Sequence, residues 1–315
     1  MPLSDIILFF IAGVVLLFVG AEGLIRGSSN LAIKIGIKPL VVGLTVVAFG
    51  TSTPELVVSL KAALIGNGSI SLGNVVGSNI ANIALILGVA ALIKPLDVHT
   101  SVILREIPVM IGISLVLMLL LLDGELGFTD GLIFVIGLLV YVFVNVIMAL
   151  KEKNAEVNSE FNEGLKSKLG ISVSILFMIG GLGLLIVGAD LFVRSAVAIA
   201  KKFDVSDAVI GLTIVAVGTS LPELITSIVA SYKKEADIAI GNVVGSNVFN
   251  ILGILGITAL IVPISSAGIS YLDLGMMLFT AILLLPLSKS GFSITRLEGG
   301  FLLAGYLFYI YYLLP

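Results

Sequence analysis

The stretch GLTVVAFGTSTPELVVS at residues 43–59 returns 168 positions later as GLTIVAVGTSLPELITS at residues 211–227, with 12 of 17 positions identical. A second stretch, GNVVGSN at residues 73–79, returns unchanged at residues 241–247. The same offset also aligns shorter matches on either side without a gap, which indicates an internal duplication. The fold should therefore consist of one unit built twice.

The composition identifies the environment of the chain. Of its 315 residues, 58% are hydrophobic and 12% are charged, whereas soluble domains carry about a quarter charged residues. This indicates an integral membrane protein, in which a spanning helix needs roughly 20 mostly apolar residues. Ten candidate spans lie near residues 5–25, 40–62, 70–93, 103–122, 129–150, 171–192, 208–231, 238–262, 270–288 and 297–314.

Each copy holds five predicted spans, so the second copy enters the membrane from the opposite side. The predicted fold is an all-α polytopic membrane protein with ten transmembrane helices in two inverted-topology five-helix repeats, an architecture of secondary transporters. Residues 1–150 form the first half and residues 171–315 the second, with a polar cytoplasmic linker at residues 151–170. On this topology, 13 of the 17 Lys and Arg residues face one side. The positive-inside rule makes that side the cytoplasm and puts both termini outside.

The duplicated motif places a glutamate directly after a proline, at Glu55 and at Glu223, inside an apolar span. A proline within a helix removes one hydrogen bond and clashes with the preceding turn, so each span should kink there. Unpaired backbone carbonyls at membrane depth are tolerated only where they line a cavity or meet an ion. An ionisable residue at this depth also costs about 2.5 kcal/mol or more if it is unpaired. A bound cation between the two carboxylates would remove that cost.

Helical spacing collects further oxygen atoms around the two glutamates. Several residues of the first glutamate motif fall on one helix face, and the matching residues of the second motif form the equivalent face. The following span of each half adds a serine and an asparagine that are four residues apart and so also share a face. Besides the glutamates, the candidate ligands are Ala48, Thr51, Ser52, Ser78, Asn82, Ala216, Thr219, Ser220, Ser246 and Asn250. An all-oxygen set without His or Cys suits Ca²⁺ or Na⁺ and argues against zinc, copper or iron. The small residues of GNVVGSN also favour close helix packing.

GTSTPEL with GNVVGSNIANI, and GTSLPEL with GNVVGSNVFNI, resemble the two alpha-repeats of the cation/calcium exchanger superfamily, most closely those of prokaryotic sodium/calcium exchangers. The resemblance implies a ten-helix antiporter that exchanges Na⁺ for Ca²⁺ by alternating access, with a three-to-one stoichiometry that makes transport electrogenic. It also implies that Glu55 and Glu223 are the central ligands, that the other candidates supply side-chain or carbonyl oxygens, and that the first and sixth spans slide past the core. Asn250 replaces an aspartate found in some relatives, which disfavours K⁺ co-transport.

Three alternatives remain open. Two protons would neutralise the two glutamates as well as two Na⁺ would, so an H⁺/Ca²⁺ antiporter is the main alternative. A passive cation channel would need no counter-ion. An intramembrane hydrolase could use two acidic residues, but it would not need duplicated kinked helices rich in hydroxyl and amide groups.

The remaining expectations concern partners and location. Ca²⁺ and Na⁺ are expected as transported substrates, with no cofactor, no nucleic acid and no obligate protein partner. Because both halves of the predicted site lie in one chain, a monomer should be functional. The expected location is the plasma membrane. Glu22 with Arg26, and Asp190 with Arg194, are spaced for structural ion pairs on a helix.

Overall fold

The computed structural model describes residues 3–156, 170–202 and 216–313, which are almost entirely helical. The first half contains α1 (Leu3–Ile35), α2 (Pro39–Thr51), α3 (Thr53–Leu64), α4 (Gly68–Ile93), α5 (Val102–Asp123) and α6 (Phe128–Glu156). The second half contains α7 (Ile171–Lys202), α8 (Ala216–Thr219), α9 (Leu221–Tyr232), α10 (Ala236–Ile261), α11 (Tyr271–Lys289) and α12 (Arg296–Leu313).

Seven helices of the described part of the chain are long and apolar enough to cross a membrane: α1, α4, α5, α6, α7, α10 and α11. The pair α2 and α3, bent by 44°, makes an eighth candidate. Helix α12 carries Arg296, Glu298 and four tyrosines, which lower its hydropathy. The predicted span at 208–231 begins outside the described residues, which resume at Ala216. The chain is thus a polytopic helical membrane protein, and the number ten stays a prediction.

Two helices extend well beyond the predicted spans. The span predicted at 5–25 continues as α1 to Ile35, and the span predicted at 171–192 continues as α7 to Lys202. In α1 the extension is stabilised by burial, since Ser28 and Ala32 are fully buried although the apolar run has ended. The predicted linker at 151–170 also starts later than expected, because α6 continues to Glu156. Most of that linker, residues 157–169, lies outside the described residues.

Glycines bring α1 and α7 into direct backbone contact. A Cβ atom added at Gly20 would lie 2.7 Å from the carbonyl oxygen of Gly181. A Cβ atom at Gly181 would lie 2.5 Å from the backbone nitrogen of Leu24. Separations below 3.0 Å are not compatible with a side chain, so these glycines are required for the helices to pack at this distance.

Four two-residue strands connect loops of the two halves, a feature that the prediction of an all-α protein lacks. Strand β1 (Leu96–Asp97) pairs antiparallel with β4 (Ser293–Ile294), and β2 (Glu125–Leu126) pairs antiparallel with β3 (Ile264–Ser265). The two pairs are related by the duplication, because adding 168 to β1 gives β3 and adding 168 to β2 gives β4. Each pair therefore joins one loop of the first half to one loop of the second.

Helices α4 and α10, which carry the GNVVGSN motifs, form the centre of the molecule. Their most apolar windows are 72% and 83% buried, against 17–39% for the other candidate spans. Both helices contain a wider π-helical turn, at Ala81–Leu87 and at Asn250–Leu255. Such turns are rare and frequently occur at functional sites.

Candidate functional site

Each copy of the proline–glutamate pair (the PE motif) lies just after a break in its helix. Ser52 has φ −82° and ψ 6° between α2 and α3, and Ser220 has φ −87° and ψ 9° between α8 and α9. The predicted kinks are therefore present, with the break two residues before each proline. Glu55 and Glu223 consequently lie in the first turn of a new helix, where the positive end of the helix dipole stabilises a negative charge.

The two glutamates are buried and are bonded across the halves. The Ser220 hydroxyl donates to Oε1 of Glu55 at 3.0 Å, and the Ser52 hydroxyl donates to Oε1 of Glu223 at 2.8 Å. Each glutamate is 1% exposed. The second carboxylate oxygen, Oε2, has no hydrogen-bond partner among the described residues in either glutamate. The structure thus brings both central residues to one place and leaves one oxygen of each available.

The serines of the GNVVGSN motifs lie beside this pair. The Ser220 hydroxyl lies 3.3 Å from the Ser78 hydroxyl, which places Ser78 next to Glu55. The Ser246 hydroxyl donates to the carbonyl oxygen of Ala48 at 3.5 Å. Ala216 begins α8 at the equivalent position of the second half.

The two threonines have different surroundings. The fully buried Thr51 hydroxyl lies 3.0 Å from Oδ1 of Asn242 and 3.1 Å from the carbonyl oxygen of Val47. Thr219 is half-buried at the end of α8, where it also has a non-covalent interaction partner. The two threonines therefore differ in burial.

A set of four asparagines orients the two candidate amide ligands. Asn82 donates from Nδ2 to Oδ1 of Asn247 at 2.9 Å, and Asn250 donates from Nδ2 to Oδ1 of Asn79 at 3.0 Å. The Oδ1 atoms of Asn82 and Asn250 are buried, with no hydrogen-bond partner in the described ranges. Because the amide nitrogens are engaged on one side, each free oxygen is held in a fixed direction. Both asparagines lie in the π-helical turns.

Four buried oxygen atoms therefore lack a hydrogen-bond partner among the described residues, and the duplication relates them as two pairs. They are Oε2 of Glu55, Oε2 of Glu223, Oδ1 of Asn82 and Oδ1 of Asn250, and each half contributes one carboxylate and one amide. Leaving a buried acceptor unpaired costs roughly 1–3 kcal/mol, and more for a charged group. Carboxylate and amide oxygens are among the ligands that Ca²⁺ prefers, so an oxygen-binding cation is a chemically suitable partner for atoms of this kind.

Two pairs of side chains that support the glutamate backbone were not predicted from the sequence. Asn74 donates to the carbonyl oxygen of Glu55 at 3.3 Å and to the Ser59 hydroxyl at 2.9 Å. Asn242 repeats both contacts in the second half, with Glu223 at 3.4 Å and Ser227 at 3.2 Å. The signal was present, because Asn74 precedes Ser78 by four residues and so shares its helix face. These asparagines anchor the backbone that carries the glutamates.

The charges of the site are limited to the two glutamates. No group of three or more His, Cys, Asp or Glu side chains in the described ranges could hold a metal ion. The other oxygen donors are neutral, and the two carboxylates repel each other electrostatically. A cation between them would reverse that repulsion.

Both ion pairs predicted from the helical spacing are present. Arg26 pairs with Glu22, and Arg194 pairs with Asp190 at 2.8 Å, both at helical i, i+4 spacing. Glu22 also pairs with Lys233, which follows α9. These residues lie outside the candidate site.

The fold and site together define a polytopic helical membrane protein with buried carboxylate, hydroxyl and amide groups from two related halves. Comparison with known proteins gives the family. The sequence model described as "Sodium/calcium exchanger protein" matches residues 6–147 and again residues 173–314. The chain therefore belongs to the sodium/calcium exchanger protein family, which is a family of transporters.

Individual relatives are similar over nearly the whole chain. The putative antiporter CaxA of Alkalimonas amylolytica is 38% identical, with 97% of this chain and 98% of the relative covered. The sodium/calcium exchanger MaX1 of Methanosarcina acetivorans is 33% identical, with 97% of each chain covered. The solved structure of the sodium-calcium exchanger NCX_Mj, soaked with zero Na⁺ and Ca²⁺, matches with a TM-score of 0.84 at 32% identity, covering 98% of each chain.

Proposed function

We propose that this chain is a secondary antiporter that exchanges Na⁺ for Ca²⁺ by alternating access. The observation that carries the proposal is the group of four buried, unpartnered oxygens, one carboxylate and one amide from each half. A permanently vacant group of this kind would be costly. A transported cation supplies the missing partner and can also leave.

The proposed ligands are the twelve residues singled out by the sequence. Glu55 and Glu223 supply the charge, and their crossed hydrogen bonds to Ser220 and Ser52 support a shared site. The remaining proposed oxygen donors are Thr51, Thr219, Ser78, Ser246, Asn82 and Asn250, with carbonyl oxygens from Ala48 and Ala216.

The proposed topology has ten spans in two inverted repeats, residues 1–150 and 171–315. The two strand pairs support it. Pair β1–β4 joins the loop after the third predicted span to the loop after the ninth. Pair β2–β3 joins the loop after the fourth span to the loop after the eighth. In both cases the scheme places the two joined loops on the same side of the membrane. Inverted repeats provide alternating access when the halves exchange conformations around a fixed central site.

Charge balance explains why exchange is obligatory in this proposal. With both glutamates ionised the site has a charge of −2, which one Ca²⁺ or two Na⁺ would neutralise, and three Na⁺ would bring it to +1. Moving the empty, doubly negative site through the membrane interior is unfavourable, because burying unpaired charge is costly. We adopt the three-to-one stoichiometry, and hence electrogenic transport, from the resemblance to the family. Proton exchange by the same two carboxylates is the alternative.

The protein is proposed to lie in the plasma membrane with both termini outside and to function as a monomer. The 13 Lys and Arg residues that this topology places on one side support the orientation. Both glutamates and both asparagines of the site come from one chain, which supports transport by a monomer.

The proposal is tested by radioactive Ca²⁺ uptake into proteoliposomes loaded with Na⁺, with a parallel set that carries an H⁺ gradient. Uptake should require internal Na⁺ and should be lost in Glu55→Gln and in Glu223→Gln. The control variant Glu125→Gln, which removes an exposed carboxylate outside both motifs, should retain uptake. Uptake driven by H⁺ alone would contradict Na⁺ coupling, and uptake that needs neither gradient would indicate a channel.

A further inference from the structure

A cavity lies between α5 and α6, and none of the proposed cation ligands lines it. Its volume is 480 Å³, within the range of small-molecule pockets. On the α6 side the cavity is open to the surface that faces the membrane, since Ile133 is 47% and Val140 is 55% exposed. The floor is buried and consists of Phe134 and Leu252. A cavity of this composition excludes water and accepts hydrocarbon.

Glycine at position 112 leaves the space open. A Cβ atom added at Gly112 would have no heavy atom within 4 Å. The duplication matches Gly112 with Thr280, whose side chain is 2% exposed. The second half therefore places a buried side chain where the first half has none.

One end of the cavity is polar and contains a buried ion pair. Glu106 is fully buried, and its two oxygens accept from Arg105 at 2.5 Å and from the Tyr141 hydroxyl at 2.8 Å. Arg105 donates a second hydrogen bond to Oδ1 of Asn145 at 3.1 Å. This end is thus held rigidly beside an apolar chamber.

Arg105 keeps donor capacity for an anion. Among the described residues, the sulfur of Met148 is the hydrogen-bond acceptor of its Nη1 group, and a thioether is a weak acceptor that an anionic oxygen can displace. Lys151 is exposed and follows Met148 by three residues, which places the two on one face of α6. Arg105 and Lys151 are the two cations of this end, and in the sequence Glu106 and Glu152 follow them directly.

We propose that this cavity binds one anionic phospholipid, with an acyl chain between α5 and α6 and its phosphate at Arg105 and Lys151. The bilayer supplies such a molecule at the required depth, and basic pockets between transmembrane helices recognise anionic headgroups. The apolar chamber accepts a hydrocarbon chain, and Arg105 and Lys151 supply the hydrogen-bond donors for the phosphate.

The test is native mass spectrometry of the purified full chain in detergent, titrated with dioleoyl phosphatidylglycerol and, separately, with dioleoyl phosphatidylethanolamine. The wild-type chain should retain one phosphatidylglycerol, with about tenfold higher affinity than for phosphatidylethanolamine. Gly112→Leu, which fills the chamber without a backbone clash, should weaken phosphatidylglycerol binding about tenfold or more.

Two further variants complete the test. Gly305→Leu is the matched control, because Gly305 also has no atom within 4 Å of an added Cβ but lies on α12. It should bind phosphatidylglycerol as the wild-type chain does. Lys151→Gln should reduce the preference for phosphatidylglycerol while leaving the folded structure intact. Equal retention of the two lipids by the wild-type chain, or unchanged binding in Gly112→Leu, would overturn the proposal.

Discussion

The orientation of Asn82 provides a sharp prediction about the cation site. Its amide nitrogen donates to Oδ1 of Asn247 at 2.9 Å, and both residues are almost fully buried. Replacing Asn247 with Leu removes that acceptor and keeps a side chain of similar size. In the ion-free protein the Asn82 amide should then turn over to find another acceptor, which directs its N–H groups toward the site.

The magnitude follows from the hydrogen bond that is lost. Calcium binding requires the Asn82 oxygen to face the ion, so the amide must turn back and leave a buried donor unpaired. That costs roughly 1–3 kcal/mol, which corresponds to about a 5- to 150-fold weaker affinity for Ca²⁺. Isothermal titration calorimetry of the purified protein in Na⁺-free buffer measures this change.

A second substitution at the same position separates orientation from packing. Asn247→Asp loses the same amide donors as Asn247→Leu but keeps an oxygen that accepts from Asn82. It should therefore bind Ca²⁺ at least as tightly as the wild-type chain. By the duplication, Asn79→Leu should weaken binding as Asn247→Leu does, because Asn79 accepts from Asn250 at 3.0 Å. Wild-type affinity in a folded Asn247→Leu variant would refute the reasoning.

Three further predictions concern other parts of the structure. Ser52→Ala and Ser220→Ala each remove one hydrogen bond to a carboxylate and should slow Na⁺-driven Ca²⁺ uptake to a similar degree; an effect of one without the other would argue against a shared site. Gly181→Leu should prevent α1 and α7 from packing, because its Cβ would lie 2.5 Å from backbone; size-exclusion chromatography should show loss of folded protein, and a normal yield would contradict this. Tyr141→Phe should lower thermal stability by about 1–3 kcal/mol, since a buried Glu106 oxygen loses its partner; an unchanged melting temperature would show that the bond contributes little.

Much of the site could be predicted because the chain contains its motif twice. A single PE motif is compatible with a structural glutamate, but two copies at a constant offset indicate convergence at the interface between the halves. The prolines also predicted the helix breaks, since the steric effect of proline is local. In the structure Glu55 and Glu223 each accept a hydrogen bond from a serine of the other half, and their role as cation ligands stays a prediction.

The crossed pattern of hydrogen bonds could not be predicted in the same way. Helical spacing places Ser52 and Glu55 on one face of one helix, yet Ser52 bonds to Glu223 of the other half. The break at Ser52 turns its side chain away from its own helix, and only the packed structure shows where it points. The π-helical turns and the two-residue strands were missed because neither is long enough to leave a periodic signal.

Glu106 was missed for a different reason. Its hydrogen-bond partner Tyr141 lies 35 residues away, on the next helix. The sequence matches Tyr141 with Tyr309, and Tyr309 donates to Asp273 at 2.7 Å. The tyrosine is therefore repeated at the constant offset of 168. Its acidic partner lies one position away from the residue that this offset aligns, so the sequence comparison does not reveal the pair.

The central claim is that one carboxylate from each half binds the same cation. Equilibrium Ca²⁺ binding to the purified protein, measured for the wild type, Glu55→Gln and Glu223→Gln, tests it most directly. The account predicts one Ca²⁺ per wild-type chain and loss of binding in both variants, because each leaves a single carboxylate to balance a divalent ion. Wild-type Ca²⁺ affinity in either folded variant would contradict it.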